Sequence, residues 1–206
     1  MNLFDKPIQI RFETNDSKIQ SYLNDNITDE VLLTGDLEQI ADETARKFGI
    51  ICDTEFSTED STTHSYLKPV SVAELPLEQQ VGARYDYYEF VAVDYTFKVN
   101  GDYTFFFDKP TIGNLGRIEG VVNANNLTLT IITRYTRIPL SDEWQTRVKD
   151  SIKTLVSEVE TRINLLKEEC KEHNAGIKPN VLSVLEKERQ NLIEKKAHDA
   201  KLNPFK

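Results

Sequence analysis

The sequence predicts an α+β protein in which an antiparallel β-meander packs against helices and a long antiparallel helical hairpin closes the C-terminus. Three observations carry this reading. Val91 to Val99 and Leu127 to Ile131 alternate in the period of two that a half-buried strand requires. Trp144, Val148, Ile152, Leu155, Val159, Ile163, Leu166 and Cys170 instead step by four, four and three. That repeat is close to ~3.67 residues per turn and keeps one stripe on one side of a nearly straight helix. Strand-like sequence lies before Pro139 and only helical sequence follows it, so a sheet domain over 1–140 and a hairpin over 141–206 are expected, or both in a single domain.

From the N-terminus, Lys6 to Phe12 alternates briefly and predicts an edge strand, with Pro7 where a missing donor does least harm. Asn15 to Asp25 reads as a short helix with Ile19, Tyr22 and Leu23 on one face. A second helix is expected after Asp36. Asp36 and Gln39 resemble a capping box, Leu37, Ile40, Ala41, Thr44 and Phe48 form the stripe, and Gly49 supplies a left-handed stop. Ile50 to Phe56 then reads as a strand. Ser57 to Gln80, rich in Ser, Thr, Glu and Pro, reads as the most mobile segment, with Tyr66 to Val72 able to pair at an edge.

The β-rich centre begins near Tyr87. Val91, Val93, Tyr95, Phe97 and Val99 alternate with Ala92, Asp94, Thr96 and Lys98, a strand with one wet side. Asn100-Gly101 is expected to turn the chain into a strand over Asp102 to Phe107. Side-chain parity favours a three-residue loop with Lys98 opposite Asp102 and Gly101 as a bulge, which keeps the aromatic residues on one face. Arg117 to Asn123 and Leu127 to Thr136 form a further hairpin about Asn123-Ala124-Asn125-Asn126. The long helix opens at Ser141, a good N-cap, with Asp142 and Glu143 in the first turn where the helix dipole favours negative charge. His173-Asn174-Ala175-Gly176 reads as a break. A second helix is expected from Pro179, carrying Val181, Leu182, Leu185, Leu192 and Ile193 and folding back on the first.

With 206 residues the chain can bury a substantial core, and no apolar run approaches the roughly 20 residues needed to cross a bilayer. The start, Met-Asn-Leu-Phe-Asp-Lys, lacks the basic-then-apolar pattern of a signal peptide, so the cytoplasm is the expected compartment. Cys52 and Cys170 each fall on an apolar stripe, which favours buried free thiols over a disulfide. A balance of 34 acidic against 25 basic residues gives a net charge of −9, which repels a phosphate backbone and disfavours nucleic acid or an anionic membrane as partner. Between Lys187 and Lys201, basic and acidic residues mix as on a solvated helix face.

The sequence supplies no catalytic, cofactor-binding or metal-ligating constellation to name. His64, His173 and His198 are scattered, and neither an HExxH nor a CxxC pair is present. Gly113 and Gly116 miss the phosphate-loop and dinucleotide patterns and read as turn glycines. Glu89, Asp94 and Lys98 could serve a metal-dependent nuclease only by converging, yet Glu89 and Asp94 are five apart and so on opposite strand faces. Tyr85, Tyr87 and Tyr88 beside Arg84 could form a binding surface, or be core or rim.

The stretch from Ile163 through His173-Asn174, Leu185 and Arg189 to Leu202-Asn203-Pro204-Phe205 resembles the helical close of a group of uncharacterised bacterial proteins. Those proteins combine an N-terminal helical segment, a β-meander and a helix pair. They occur alone or upstream of effector domains in neighbourhoods linked to defence against phage. Gly176 and Pro179 depart from that group's more continuous helix, and the resemblance carries over no catalytic residue.

Three functions remain open: a non-enzymatic sensor or adaptor acting through protein binding, as the resemblance implies for anti-phage defence; a metal-dependent hydrolase or nuclease; and a phage-encoded structural or inhibitory protein with an acidic surface. For the first, partner binding or self-association as a homo-oligomer is expected through the C-terminal hairpin. Leu155, Leu165, Leu166, Leu185 and Leu192 are its candidate contacts, together with Tyr85, Tyr87 and Tyr88.

Overall fold

The computed structural model describes residues 1–75, 80, 84–112 and 116–202. They fall into two compact units, each assembled from two stretches of chain: Met1–Lys6 with Asp53–Leu165, and Pro7–Cys52 with Leu166–Lys206. The units thus divide inside the last helix, whereas the sequence places the division at residue 140. The class is α+β, as the sequence predicts. Among the described residues, no helix is long and apolar enough to cross a membrane.

The first unit holds a five-stranded antiparallel sheet of β1 (Asn2–Leu3), β2 (Glu55–Ser71), β3 (Tyr87–Asn100), β4 (Ile118–Val122) and β5 (Asn126–Ile132), in the order β1-β4-β5-β3-β2. Val93, Tyr95 and Phe97 of β3 lie opposite Ile131, Leu129 and Leu127 of β5, so both alternations point their apolar residues the same way. Leu127 and Leu129 are fully buried, and Val91 and Val93 pack with Val148 of the following helix. Burying such side chains contributes roughly 1.5–3 kcal/mol each. The β4–β5 turn forms where expected, with Asn123 Oδ1 accepting from the backbone N–H groups of Asn125 and Asn126, each at 2.9 Å.

Two expectations for this unit are corrected. Tyr103–Phe107 is a 3-10 turn, not a strand, because Asp102 Oδ1 caps Thr104 N at 2.9 Å and both Phe105 and Phe106 turn inward. Adjacent buried residues cannot satisfy a two-residue alternation. Gly101 is still needed, at φ 77°, but it turns the chain away from β3. The strand paired with β3 is β2, drawn from the segment expected to be mobile. The sheet is therefore not a simple meander, since β3 sits between β2 and β5. Residues 76–79, also in that segment, lie outside the described residues.

The second unit is helical: α1 (Ile8–Asn26), α2 (Asp29–Thr34), α3 (Leu37–Phe48) and the C-terminal part of α4 (Asp142–Leu202). Its core joins Ile19, Leu23, Leu32, Leu37, Ala41, Ile177, Val181 and Leu185. The expected edge strand over Lys6 to Phe12 is extended only at Lys6–Pro7, and helix takes over at Ile8, whose side chain is fully buried. Asp36 caps α3 through Gln39 N at 3.2 Å, as read from the sequence. Gly49 stops that helix with φ −59°, not in the left-handed region.

The expected helical hairpin is absent, and α4 runs unbroken for 61 residues with Pro179 inside it. The reason lies in the stripe: Cys170, Ile177 and Val181 are buried and His173 is half-buried, so one apolar face continues across the supposed break. Asn174, read as a breaker, anchors the chain beyond α3. Its carboxamide donates to Ile50 O and accepts from Ile50 N, both at 2.8 Å. Arg189 donates to the carbonyls of Leu32 and Gly35, satisfying the open end of α2. Cys170 is buried and Cys52 half-buried, and the two are not joined in a disulfide.

Candidate functional site

In the first unit, the pairing of β2 with β3 places an aromatic group at one end of the ladder. Ser71 is opposite Tyr87, and the chain entering β3 brings Tyr85 edge-on to Tyr88 at 6.0 Å and 87°. Tyr85 and Tyr87 are 68% and 65% exposed, and Leu67, four rungs along the ladder and on the same face as Tyr87, is 42% exposed. Tyr88 is half-buried, and its hydroxyl accepts from Arg84 N at 3.4 Å. Large side chains with few rotatable bonds, held out on a strand, make a preorganised contact surface.

The opposite face of the same sheet is polar. Asp94 Oδ1 accepts from Thr130 Oγ1 at 2.7 Å and from the Tyr66 hydroxyl at 3.5 Å. Tyr66 in turn stacks on His64 at 5.7 Å between ring centres, and Thr96 and Thr128 share a hydrogen bond at 3.0 Å. Burial, and after it the neighbouring Asp94 carboxylate, pushes the Tyr66 phenol above its ordinary value, since both disfavour the phenolate. These groups satisfy one another, so the arrangement orders the sheet surface. The carboxylates weighed for a nuclease do not converge: Glu89 is exposed opposite Pro69, whereas Asp94 is engaged on the other face. Lys98 pairs with Asp60 at 3.0 Å, in place of the Asp102 partner expected from the sequence. Among the described residues, no group of three or more His, Cys, Asp or Glu side chains could hold a metal ion.

The second unit contains a pocket of about 170 Å³ with Ile19, Leu23, Ile177 and Val181 as floor and Asp16 and His173 at the rim. The floor residues belong to the core and are at most 6% exposed, so the pocket offers little apolar surface. His173 stacks on Phe12 at 4.3 Å with the rings nearly parallel, and its Nε2 lies 3.7 Å from Asp16 Oδ1. The histidine thus helps hold α1 to α4.

The candidate contact residues are not brought together. Leu155 and Leu165 belong to the first unit and are half-buried; Leu166, Leu185 and Leu192 belong to the second. Leu166 and Leu185 are 0% exposed and serve as core, which corrects their assignment as docking residues: the stripe that would have been spare on a hairpin is covered on a continuous helix. Leu192 is half-buried against the same core. Tyr85 and Tyr87 keep the exposure that a contact surface requires. Arg162, passed over in the sequence because it neighbours Ile163 on the stripe, is 2% exposed, donates to Gly116 O and lies over the Phe4 ring. Burial pulls its guanidinium below the ordinary value, partly offset by Glu158. Gly113 and the Asn203-Pro204-Phe205 end of the resemblance lie outside the described residues. No family model, curated protein or solved structure matches this chain.

Proposed function

We propose that this chain is a non-enzymatic sensor or adaptor that works by binding another protein, and that its contact surface is the tyrosine group at the head of β3 rather than the C-terminal helix. The observation that carries this reading is the exposure of Tyr85 and Tyr87 where the chain enters β3, with Tyr85 set edge-on against Tyr88. Tyrosine is enriched in interface hot spots, and an exposed cluster is costly unless something covers it. A place in anti-phage defence rests on the resemblance of the C-terminal sequence alone.

A photo-crosslinking residue placed at Tyr87 in the native host should capture a defined protein, and one placed at Lys153 should not. With that protein purified, Tyr85→Ala/Tyr87→Ala should weaken binding by roughly tenfold or more, as loss of hot-spot residues does. Turnover of nucleic acid, nucleotides or peptides by the purified chain with divalent metal would overturn the reading. So would a partner whose affinity ignores both tyrosines.

A further inference from the structure

We infer that the outer edge of β2 is a self-association site, where a second copy of this chain pairs antiparallel and joins two sheets into one. Among the described residues β2 has a strand on one side only. Which of its backbone groups face outward follows from its neighbours. Val91 sends its N–H to Tyr135 O at 2.7 Å and its carbonyl accepts from Thr133 N at 2.9 Å, both away from β2. Leu67, opposite Val91, therefore belongs to a pair not bonded across β2 and β3. Two residues along the same set is Pro69, which has no N–H to give, and in the alternate set Val72 N bonds inward to Asp86 O at 2.9 Å. The outward donors are accordingly Thr63, Ser65 and Leu67.

Natural edges are defended by charge, proline and bulges. In β2 those defences stand at the two ends, with a register shift between Ser57 and Thr62 that contains Glu59 and Asp60, and Lys68-Pro69 at the other end. Ser61-Thr-Thr-His-Ser-Tyr-Leu67 between them carries no acidic, lysine, arginine or proline residue, and Thr58 through Ser65 are exposed throughout.

The charges at the ends select the occupant. Asp60, which pairs with Lys98, and Lys68, which follows the alternation of Thr62, His64 and Tyr66, share the polar face. When two copies of β2 pair antiparallel about His64, the end of each strand that carries Asp60 meets the end of the other that carries Lys68. Thr63 and Ser65 then exchange their outward N–H and C=O groups across the two-fold axis. A one-residue slip would put Asp60 and Lys68 on unlike faces. The strand is thus complementary to itself in one register. The tyrosine surface takes no part, so this pairing and the binding of another protein stand or fall separately.

Sedimentation of the full chain from low micromolar to several hundred micromolar tests the inference. A monomer–dimer equilibrium is expected, and Ser65→Pro, which removes an outward donor without touching the ladder to β3, should leave a folded monomer. Lys68→Glu should weaken the dimer roughly tenfold by bringing like charges together at each end. Asp60→Lys/Lys68→Glu should restore it. A monomer at every concentration would overturn the inference, as would a dimer that survives intact in Ser65→Pro. Should Ser65→Pro not fold, the charge exchange decides: no weakening in the single variant, or no recovery in the double, refutes the pairing. Neither result bears on the Tyr85 and Tyr87 surface.

Discussion

Replacing Gly176 by alanine separates a continuous helix from a hairpin by the sign of its effect. Within α4 a methyl group at this position would meet only Asn180 Nδ2, at 3.7 Å, an ordinary van der Waals contact. Glycine in a helix interior is less favourable than alanine by about 0.8–1.0 kcal/mol, chiefly through backbone entropy. Gly176→Ala should therefore stabilise the second unit by nearly that amount. A unit of 60–100 residues gains roughly 4–8 °C in Tm per kcal/mol, so a rise of a few degrees is expected. If the chain turned here through a left-handed glycine, alanine would instead cost about 1–2 kcal/mol. Thermal and urea unfolding followed by helical circular dichroism distinguish the two. A loss of stability would refute the unbroken α4.

Gly101→Ala should do the opposite, because φ is 77° and a methyl group would collide with the Asp53 carbonyl oxygen; left-handed strain and overpacking together suggest a cost of about 3 kcal/mol, read as a lower urea midpoint. Leu185→Ala, in the core at 0% exposure, should cost about 3–4 kcal/mol by the same measurement, against about 1 kcal/mol for half-buried Leu192→Ala. Ultraviolet titration should show Tyr66 ionising above the free-tyrosine value. Its raised value favours the neutral phenol in the fold, so the stability it contributes is complete below pH of about 10 and is lost as pH rises through the folded value. Asp94→Asn should lower the Tyr66 value only in part, because burial is the larger cause, and should leave Tyr95, raised by burial alone, where it was.

What could be read from the sequence was what rests on periodicity. Val148, Ile152, Val159, Ile163, Leu166 and Cys170 are buried as their spacing predicts, and Asp36 caps α3 where its partner Gln39 stands. What could not be read depended on contacts distant in sequence. His173 and Asn174 look like a break because both are polar, but their partners are Phe12 and Ile50, more than a hundred residues away. Of β2, the edge pairing of Tyr66 to Val72 was legible, but Ser57 to Ser65 escaped notice because an edge strand wet on both faces shows no alternation, only the β-branched Thr58, Thr62 and Thr63 among serines. Tyr103 to Phe107 suggested a strand through every second aromatic residue. The adjacent Phe105-Phe106 pair was the signal against it. Of the candidate site, the tyrosines were legible as a cluster, whereas Leu166 and Leu185 were misread because a leucine stripe looks the same whether or not another helix covers it.

Amide hydrogen exchange along β2, followed residue by residue at low and at high protein concentration, tests the edge pairing most directly. Thr62, His64 and Tyr66 bond to β3 and should be protected at both concentrations. Thr63, Ser65 and Leu67 should exchange freely in the dilute protein and slow as concentration rises. Exchange at those three that is fast at every concentration, or slow already in the monomer, would contradict the account.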